Sequence, residues 1–237
     1  MRKLVVTLAV SLVAVACLGC ATSPPLDAPA ASSGASRVAI TEGGGRSHEA
    51  PVKAEARVGV DAGHAGAGTP LVAGPGHELA AFALGCFWGS EDTFRHVRGV
   101  VATAVGYAGG HTDAPTYETV CSHTTGHAET VLVEYDPALV TYAELLSAFW
   151  TTHDPTTKNR QGPDVGDQYR SAIFTFSPAQ ATIARASMSR AQTKVNGAIV
   201  TEITPMPRFW IAEDYHQQYD EKTGRASCAK PLTGESI

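Results

Sequence analysis

The chain has 237 residues, 43% of them hydrophobic, which is enough for one domain with a real core. Its 18 lysines and arginines face 23 aspartates and glutamates, for a formal charge of -5 and a pI near 6.0. That balance excludes a basic nucleic-acid binder.

The first element in chain order is a secretory leader over residues 1–19. Arg2 and Lys3 form its charged start, and Leu4 to Ala16 is apolar apart from Thr7 and Ser11. At about 13 residues this stretch is shorter than the roughly 20 that a helix needs to cross a bilayer, so export followed by cleavage is expected. The leader ends in Ala16-Cys17-Leu18-Gly19-Cys20-Ala21, which resembles a bacterial lipobox without the usual upstream leucine. Cys20, followed by polar and proline-bearing sequence, is favoured over Cys17 as the acylated residue, and an ordinary leader is the alternative. The expected location is therefore the periplasm, or the cell envelope as a lipid-anchored protein.

Residues 20–76 are dominated by Ala, Gly, Ser and Pro and read as a tether, because they cannot bury enough apolar surface to offset their ordering entropy. The folded domain is expected over residues 77–237. Glu78 to Leu84 and Gly99 to Tyr107 read as strands around a short helix begun near Phe87. Glu129 to Tyr135 alternates as a strand, and Tyr142 to Thr151 has helical spacing. The segment from His153 to Arg170 is rich in Gly, Pro and carboxylates and reads as a long polar loop suited to mounting binding groups. Tyr169 to Phe176 reads as a strand, followed by a helix from Pro178 to about Lys194 with Ser177 as N-cap. Ile199 to Ile203 reads as a strand and Ile211 to Lys222 as a last helix. The mixture indicates an α+β fold, a two-layer α/β sandwich around one mixed sheet with a ferredoxin-like core and long functional loops.

The folded part holds Cys86, Cys121 and Cys228, an odd number at long intervals that leaves at least one thiol unpaired or transiently paired. Cys86 stands in Gly85-Cys86-Phe87-Trp88-Gly89, where a strand gives way to a helix. Gly85 permits a sharp turn, and backbone N–H groups at a helix start favour the thiolate. Phe87 and Trp88 either wall an apolar pocket or simply pack in the core. Glu129 enters a strand among apolar neighbours, so desolvation would keep it protonated as a general acid, unless it is an exposed strand-entry residue. Asp164 and Tyr169 offer an acceptor and a phenolic donor. His153, Asp154, Asp164 and Asp167 lack metal-ligand spacing, and no metal is expected.

Gly85-Cys86-Phe87-Trp88-Gly89-Ser90-Glu91, Gly106-Tyr107-Ala108-Gly109-Gly110, Thr125-Gly126-His127-Ala128-Glu129 and Gln168-Tyr169-Arg170-Ser171 occur in that order. They are followed by Ala212-Glu213-Asp214-Tyr215-His216-Gln217-Gln218-Tyr219. Together they resemble the A-type peptide methionine sulfoxide reductases over about residues 79–228. The resemblance implies reduction of methionine S-sulfoxide, with Cys86 as the nucleophile and Glu129 as the acid that protonates the sulfoxide oxygen. It implies that Tyr117 and Tyr169 hydrogen-bond that oxygen and that Asp164 orders the pocket. Phe87 and Trp88 would accept the S-methyl group, with Gly85 and His127 also lining the substrate site. Cys86 would become a sulfenic acid and then a disulfide with Cys228.

No cofactor is implied beyond an external dithiol, a thioredoxin-like protein or dithiothreitol. The expected partners are methionine-sulfoxide-containing proteins and peptides, that dithiol donor and a lipid anchor, with no nucleic acid, and the protein is expected to be a monomer. Two departures from the family pattern stand out: Arg225-Ala226-Ser227 precedes Cys228 where Gly-Tyr is common, and no second recycling cysteine follows. Cys121 reads as a packed thiol or a backup resolver. Other readings of the cysteines are a thiol peroxidase and a tethered binding module with a static disulfide.

Overall fold

The computed structural model describes residues 72–225. Cys17, Cys20 and Cys228, with the leader and most of the tether, lie outside the described residues. Six strands form the main sheet: β1 (Glu78–Leu84), β2 (Val100–Ala108), β3 (Ala128–Tyr135), β6 (Ser171–Thr175), β7 (Glu202–Pro205) and β8 (Phe209–Ile211). Their order is β7-β6-β1-β3-β2-β8, antiparallel throughout except for the parallel β6–β7 pair. Strands β4 (Arg160–Gln161) and β5 (Asp164–Val165) make a separate small hairpin. The helices are α1 (Phe87–Arg95), α2 (Tyr117–Cys121), α3 (Tyr142–Thr152), α4 (Pro178–Gln192) and α5 (Tyr219–Thr223). The fold is α+β, and its four central strands with α1 and α3 follow the chain order of a split βαββαβ unit.

Strands β1 and β3 lie at the centre because both their faces are apolar. Side chains alternate across a strand, so Ala80, Phe82 and Leu84 of β1 join Val131, Val133 and Tyr135 of β3 on one face. Phe94 of α1, Leu145 and Phe149 of α3 and Ala184 of α4 cover that face. Phe82 is its hub, with ring centroids 4.7 Å from Phe94 and 5.6 Å from Phe149. Truncating such a buried ring to alanine costs about 3–5 kcal/mol. Leu79, Ala81, Ala83, Leu132 and Phe174 form the opposite face.

Local signals set the two long helices. Thr141 and Glu144 close a reciprocal capping box on α3, and Ser177 Oγ accepts the Gln180 N–H at the start of α4, with Pro178 in the first turn. Three sequence expectations are corrected. The strand expected at 199–203 begins only at Glu202, because the Ile199 and Val200 N–H groups bond Gln192 Oε1 and the Pro155 carbonyl instead of a neighbouring strand. The helix expected at 211–222 is instead the edge strand β8, a 3-10 turn over Asp214–His216 and the five-residue α5. Gln218, at φ 50°, breaks any continuous helix there. Tyr169 ends a 3-10 turn, so its strand starts at Ser171.

Candidate active site

The β1–α1 junction carries the thiol. Gly85 has φ 104°, and a Cβ there would meet Gln161 Cγ at 2.7 Å, so glycine lets the β4–β5 hairpin close over the turn. Cys86 follows as N-cap of α1, half-buried, its carbonyl accepting the Ser90 N–H and hydroxyl. The first two N–H groups of the helix diverge: Phe87 donates to Glu129 Oε2 at 2.9 Å, while the Trp88 N–H serves the Cys86 sulfur.

This geometry qualifies the expectation of a thiolate. Burial pushes the Cys86 thiol well above its ordinary range, and the carboxylates of Glu129, Asp164 and Asp220 add to that. The Trp88 N–H acts the other way and is outweighed. The resting thiol is therefore protonated.

Glu129 is 2% exposed on β3, and burial pushes its carboxyl up to about 8. The Phe87 N–H lowers it and the Asp164 carboxylate raises it. At neutral pH Glu129 holds its proton, as the strand-entry argument expects for an acid. Tyr117, the first residue of α2, and Tyr169 both stay protonated: burial raises each first, and each also feels Glu129. Tyr117 shares a hydrogen bond with Cys121, and Tyr169 senses both Cys86 and Asp164. Asp164, half-buried on the β4–β5 hairpin, is raised by burial and lowered by the Arg225 guanidinium. The fold thus gathers Cys86, Glu129, Tyr117, Tyr169 and Asp164 from five separate segments.

Phe87 is buried beside Tyr107 and Val120, and Trp88 is half-buried next to it, with ring centroids 6.5 Å apart. Backbone groups hold the His127 ring. Its Nδ1 accepts the Gly110 N–H at 3.1 Å and its Nε2 lies 2.8 Å from the Thr112 carbonyl, so both nitrogens bind backbone. His127 shapes the turn at Gly109–Thr112 and has no ring nitrogen to offer a ligand. His153 is occupied in the same way, by the Phe149 carbonyl and Ser171 Oγ.

Sequence reasoning assigned no role to several residues that shape the site. Glu213 accepts the Tyr107 hydroxyl and the Tyr117 N–H, both at 2.9 Å, and so sets where α2 begins. His216 accepts the Trp88 indole N–H, and Tyr219 stacks on Trp88 at 3.9 Å. Gln217 bonds the Val105 N–H and carbonyl like an added strand residue. The only signal for them was the motif Glu213 to Tyr219 itself, whose spacing says nothing about partners about a hundred residues away.

Residues 78–235 match the family described as peptide methionine sulfoxide reductase. A peptide methionine sulfoxide reductase MsrA of Methanosarcina acetivorans is 59% identical over 153 residues, 64% of this chain and 81% of that protein. One from Geobacter sulfurreducens is 58% identical over 153 residues, 64% of this chain and 94% of that protein. Among solved structures, methionine sulfoxide reductase A of Corynebacterium diphtheriae aligns at TM-score 0.63 with 41% identity, over 69% of this chain and 82% of that one. The reduced form of Saccharomyces cerevisiae Mxr1 aligns at TM-score 0.62 with 38% identity, over 65% and 91%. The chain belongs to the peptide methionine sulfoxide reductase family and is an oxidoreductase that returns methionine sulfoxide to methionine.

Proposed function

We propose that Cys86 attacks the sulfur of a methionine S-sulfoxide while Glu129 delivers its proton to the departing oxygen. The observation that carries this reading is the protonated Glu129 carboxyl, bonded to the same helix start that holds the Cys86 sulfur. A sulfoxide sulfur is a poor electrophile until its oxygen is protonated or hydrogen-bonded, so the Tyr117 and Tyr169 hydroxyls stabilise the charge that grows there. As the S–S bond forms, the thiol proton passes to Glu129 in place of the one it gave, and that bond breaks again as the hydroxyl moves from the substrate sulfur to Cys86. The products are methionine and a Cys86 sulfenic acid. Phe87 and Trp88 receive the methyl group, since an apolar aromatic wall attracts a thioether methyl and its sulfur by about 0.3–1.5 kcal/mol. The wall and the oxygen donors together select the S epimer.

Cys228 then attacks the sulfenic acid, giving a Cys86–Cys228 disulfide and water, and a thioredoxin-like dithiol reduces it. The position of Cys228 after Tyr219 and the family resemblance support this cycle. The apolar leader over residues 1–19, the Ala/Gly/Pro/Ser-rich segment 20–76 and the catalytic domain over 77–237 support a repair enzyme for exported proteins, held by lipid at Cys20 or Cys17.

The test is turnover of resolved S and R epimers of a methionine sulfoxide peptide with dithiothreitol, followed by disulfide mapping. Reduction of the S epimer alone, lost in Cys86→Ser and ending after one turnover with a thioredoxin-like donor in Cys228→Ser, is expected. Equal use of both epimers, or activity in Cys86→Ser, overturns the reading. Mass spectrometry of the mature chain checks leader removal and lipidation.

A further inference from the structure

The geometry points to the groove between α1 and α5 as a subsite for a cationic side chain, a lysine or arginine next to the oxidised methionine in the substrate chain. This deepens the proposed function and rests on the reading of Trp88 as a wall of the methyl pocket.

Helices α1 and α5 meet through successive pairs of side chains. Trp88, Asp92 and Arg95 recur at intervals of four and three residues on α1, so they share one face. Their counterparts are three consecutive residues of α5. Trp88 stacks on Tyr219 with ring centroids 3.9 Å apart, and Arg95 holds Glu221 Oε2 through Nε at 3.0 Å and Nη2 at 2.6 Å. The middle pair is different. Asp92 and Asp220 line one cavity of about 510 Å³, and the charge of Asp92 is felt at Asp220. Two carboxylates thus share the space between a stacked pair and an ion pair.

The fold leaves this pair short of donors. Asp220 is 5% exposed, and its Oδ1 has no hydrogen-bond partner among the described residues. Burial raises its carboxyl, the Arg225 guanidinium lowers it and Asp92 raises it again. His96 Nδ1 bonds the Asp92 carbonyl at 2.7 Å and lies 3.5 Å from the Asp92 carboxylate, so that ring donor serves backbone. Arg95 is engaged by Glu221. Arg225, its guanidinium 5.8 Å from the Trp88 ring centre, acts on Asp164 as well as on Asp220. A buried carboxylate without its full set of donors carries a desolvation cost, which an incoming cation removes.

The position of the groove names the source of that cation. Asp92 follows Trp88 by about one helical turn, roughly 5.4 Å along the axis. Successive Cα atoms of a substrate are about 3.8 Å apart, so a methionine whose methyl group meets Trp88 brings a neighbouring side chain to the groove. A lysine ammonium offers three donors on a flexible stem and an arginine guanidinium five, enough to serve both carboxylates. A divalent ion needs more oxygen ligands than this pair supplies, and among the described residues no three His, Cys, Asp or Glu side chains are grouped to hold one. An acidic side chain would be repelled by Asp92 and Asp220.

The experiment measures kcat/KM of the full chain, with dithiothreitol, on S-sulfoxide peptides that carry lysine, norleucine or glutamate immediately before or after the oxidised methionine. Lysine is expected to exceed norleucine by about tenfold on one of the two sides, roughly the worth of one hydrogen bond to a charged group, and glutamate to fall below norleucine. The lysine advantage shrinks at high salt. It falls to about threefold in Asp92→Asn and in Asp220→Asn and vanishes in the double variant, while Asp92→Glu keeps most of it. Asp220→Asn also acts on the Cys86 thiol, so the ratio between peptides, and not the rate on any one of them, is the readout.

Equal kcat/KM for the lysine and norleucine peptides on both sides overturns the proposal, and so does a lysine advantage that survives the double variant. If Asp220→Asn does not fold, the half-buried Asp92 decides alone, and an undiminished lysine advantage in Asp92→Asn overturns the proposal. Failure to reduce any of these peptides overturns the reading of the active site and the groove with it. Equal reduction of all of them, with the R epimers left untouched, sinks the groove alone.

Discussion

Glu91 and Glu129 are both buried carboxyls, 1% and 2% exposed, on either side of the same helix start, yet their surroundings make them opposites. Glu91 accepts from Thr103 Oγ1 at 2.8 Å and from the Gln218 N–H and Nε2 at 2.7 and 2.9 Å. Those donors tie α1 to β2 and to the start of α5, and they oppose, without cancelling, the rise that burial imposes on Glu91. Glu129 has the Phe87 N–H and faces another carboxylate, Asp164, so burial carries it up to about 8. Well-supplied with donors, a buried carboxyl becomes a structural link. Left with one backbone donor beside a thiol, it becomes a store for a proton.

The strongest way to break this comparison is by activity. Glu129→Gln is expected to lose about 10²-fold in single-turnover reduction of an S-sulfoxide peptide, keeping a residue because the amide still donates a hydrogen bond. Glu91→Gln is expected to stay within about threefold by the same quenched-flow measurement, since its carboxyl faces Thr103 and Gln218 and not the substrate. Equal losses in both variants would erase the distinction.

Stability separates the pair next, by urea unfolding at several pH values. Glu91→Gln is expected to lose about 1–3 kcal/mol near neutral pH, because its new amide hydrogens confront the Gln218 donors. Glu129 has the reverse expectation. Its native value of about 8 lies above the ordinary 4.5, so the stability tied to its proton is complete below about 4.5 and lost as pH rises through about 8. Removing the titration should therefore make Glu129→Gln gain on the parent across that window, with a constant difference above it.

A finer probe is the pH dependence of Cys86 alkylation. The Glu129 carboxylate is the second cause of the raised thiol, so Glu129→Gln should move the alkylation midpoint down and Glu91→Gln should leave it in place. The smallest effect belongs to Thr103→Val, which removes one of the donors to Glu91 and is expected to cost about 0.5–1.5 kcal/mol in thermal unfolding, with unaltered turnover.

Legibility differed from one segment to the next for physical reasons. Strands β1 and β3 announce themselves as near-continuous apolar runs, and α4 by Ser177-Pro178 at its start, because those signals lie within a few residues of the element they specify. Cys86 and Glu129 were singled out by their motifs, and the burial of Glu129 also by the apolar strand it enters. For His127 the motif position does not reveal that Gly110 and Thr112 occupy both ring nitrogens. The segment from Ile211 to Lys222 misled because a continuous helix is overridden by the Gln217 side-chain bonds to Val105 and by the Gln218 N–H and Nε2 bonds to Glu91.

The amino-acid sequence by itself determined the family, the central strands, the capped helices and the candidate nucleophile Cys86, all of which are written in short-range pattern and motif order. Tertiary structure decided the protonation of that thiol and of Glu129, the closure of the β4–β5 hairpin over Gly85, and the grip of Glu213 and His216 on Tyr117 and Trp88. Those properties come from desolvation and from hydrogen bonds between residues about a hundred positions apart, and they exist only once folding has brought the partners together.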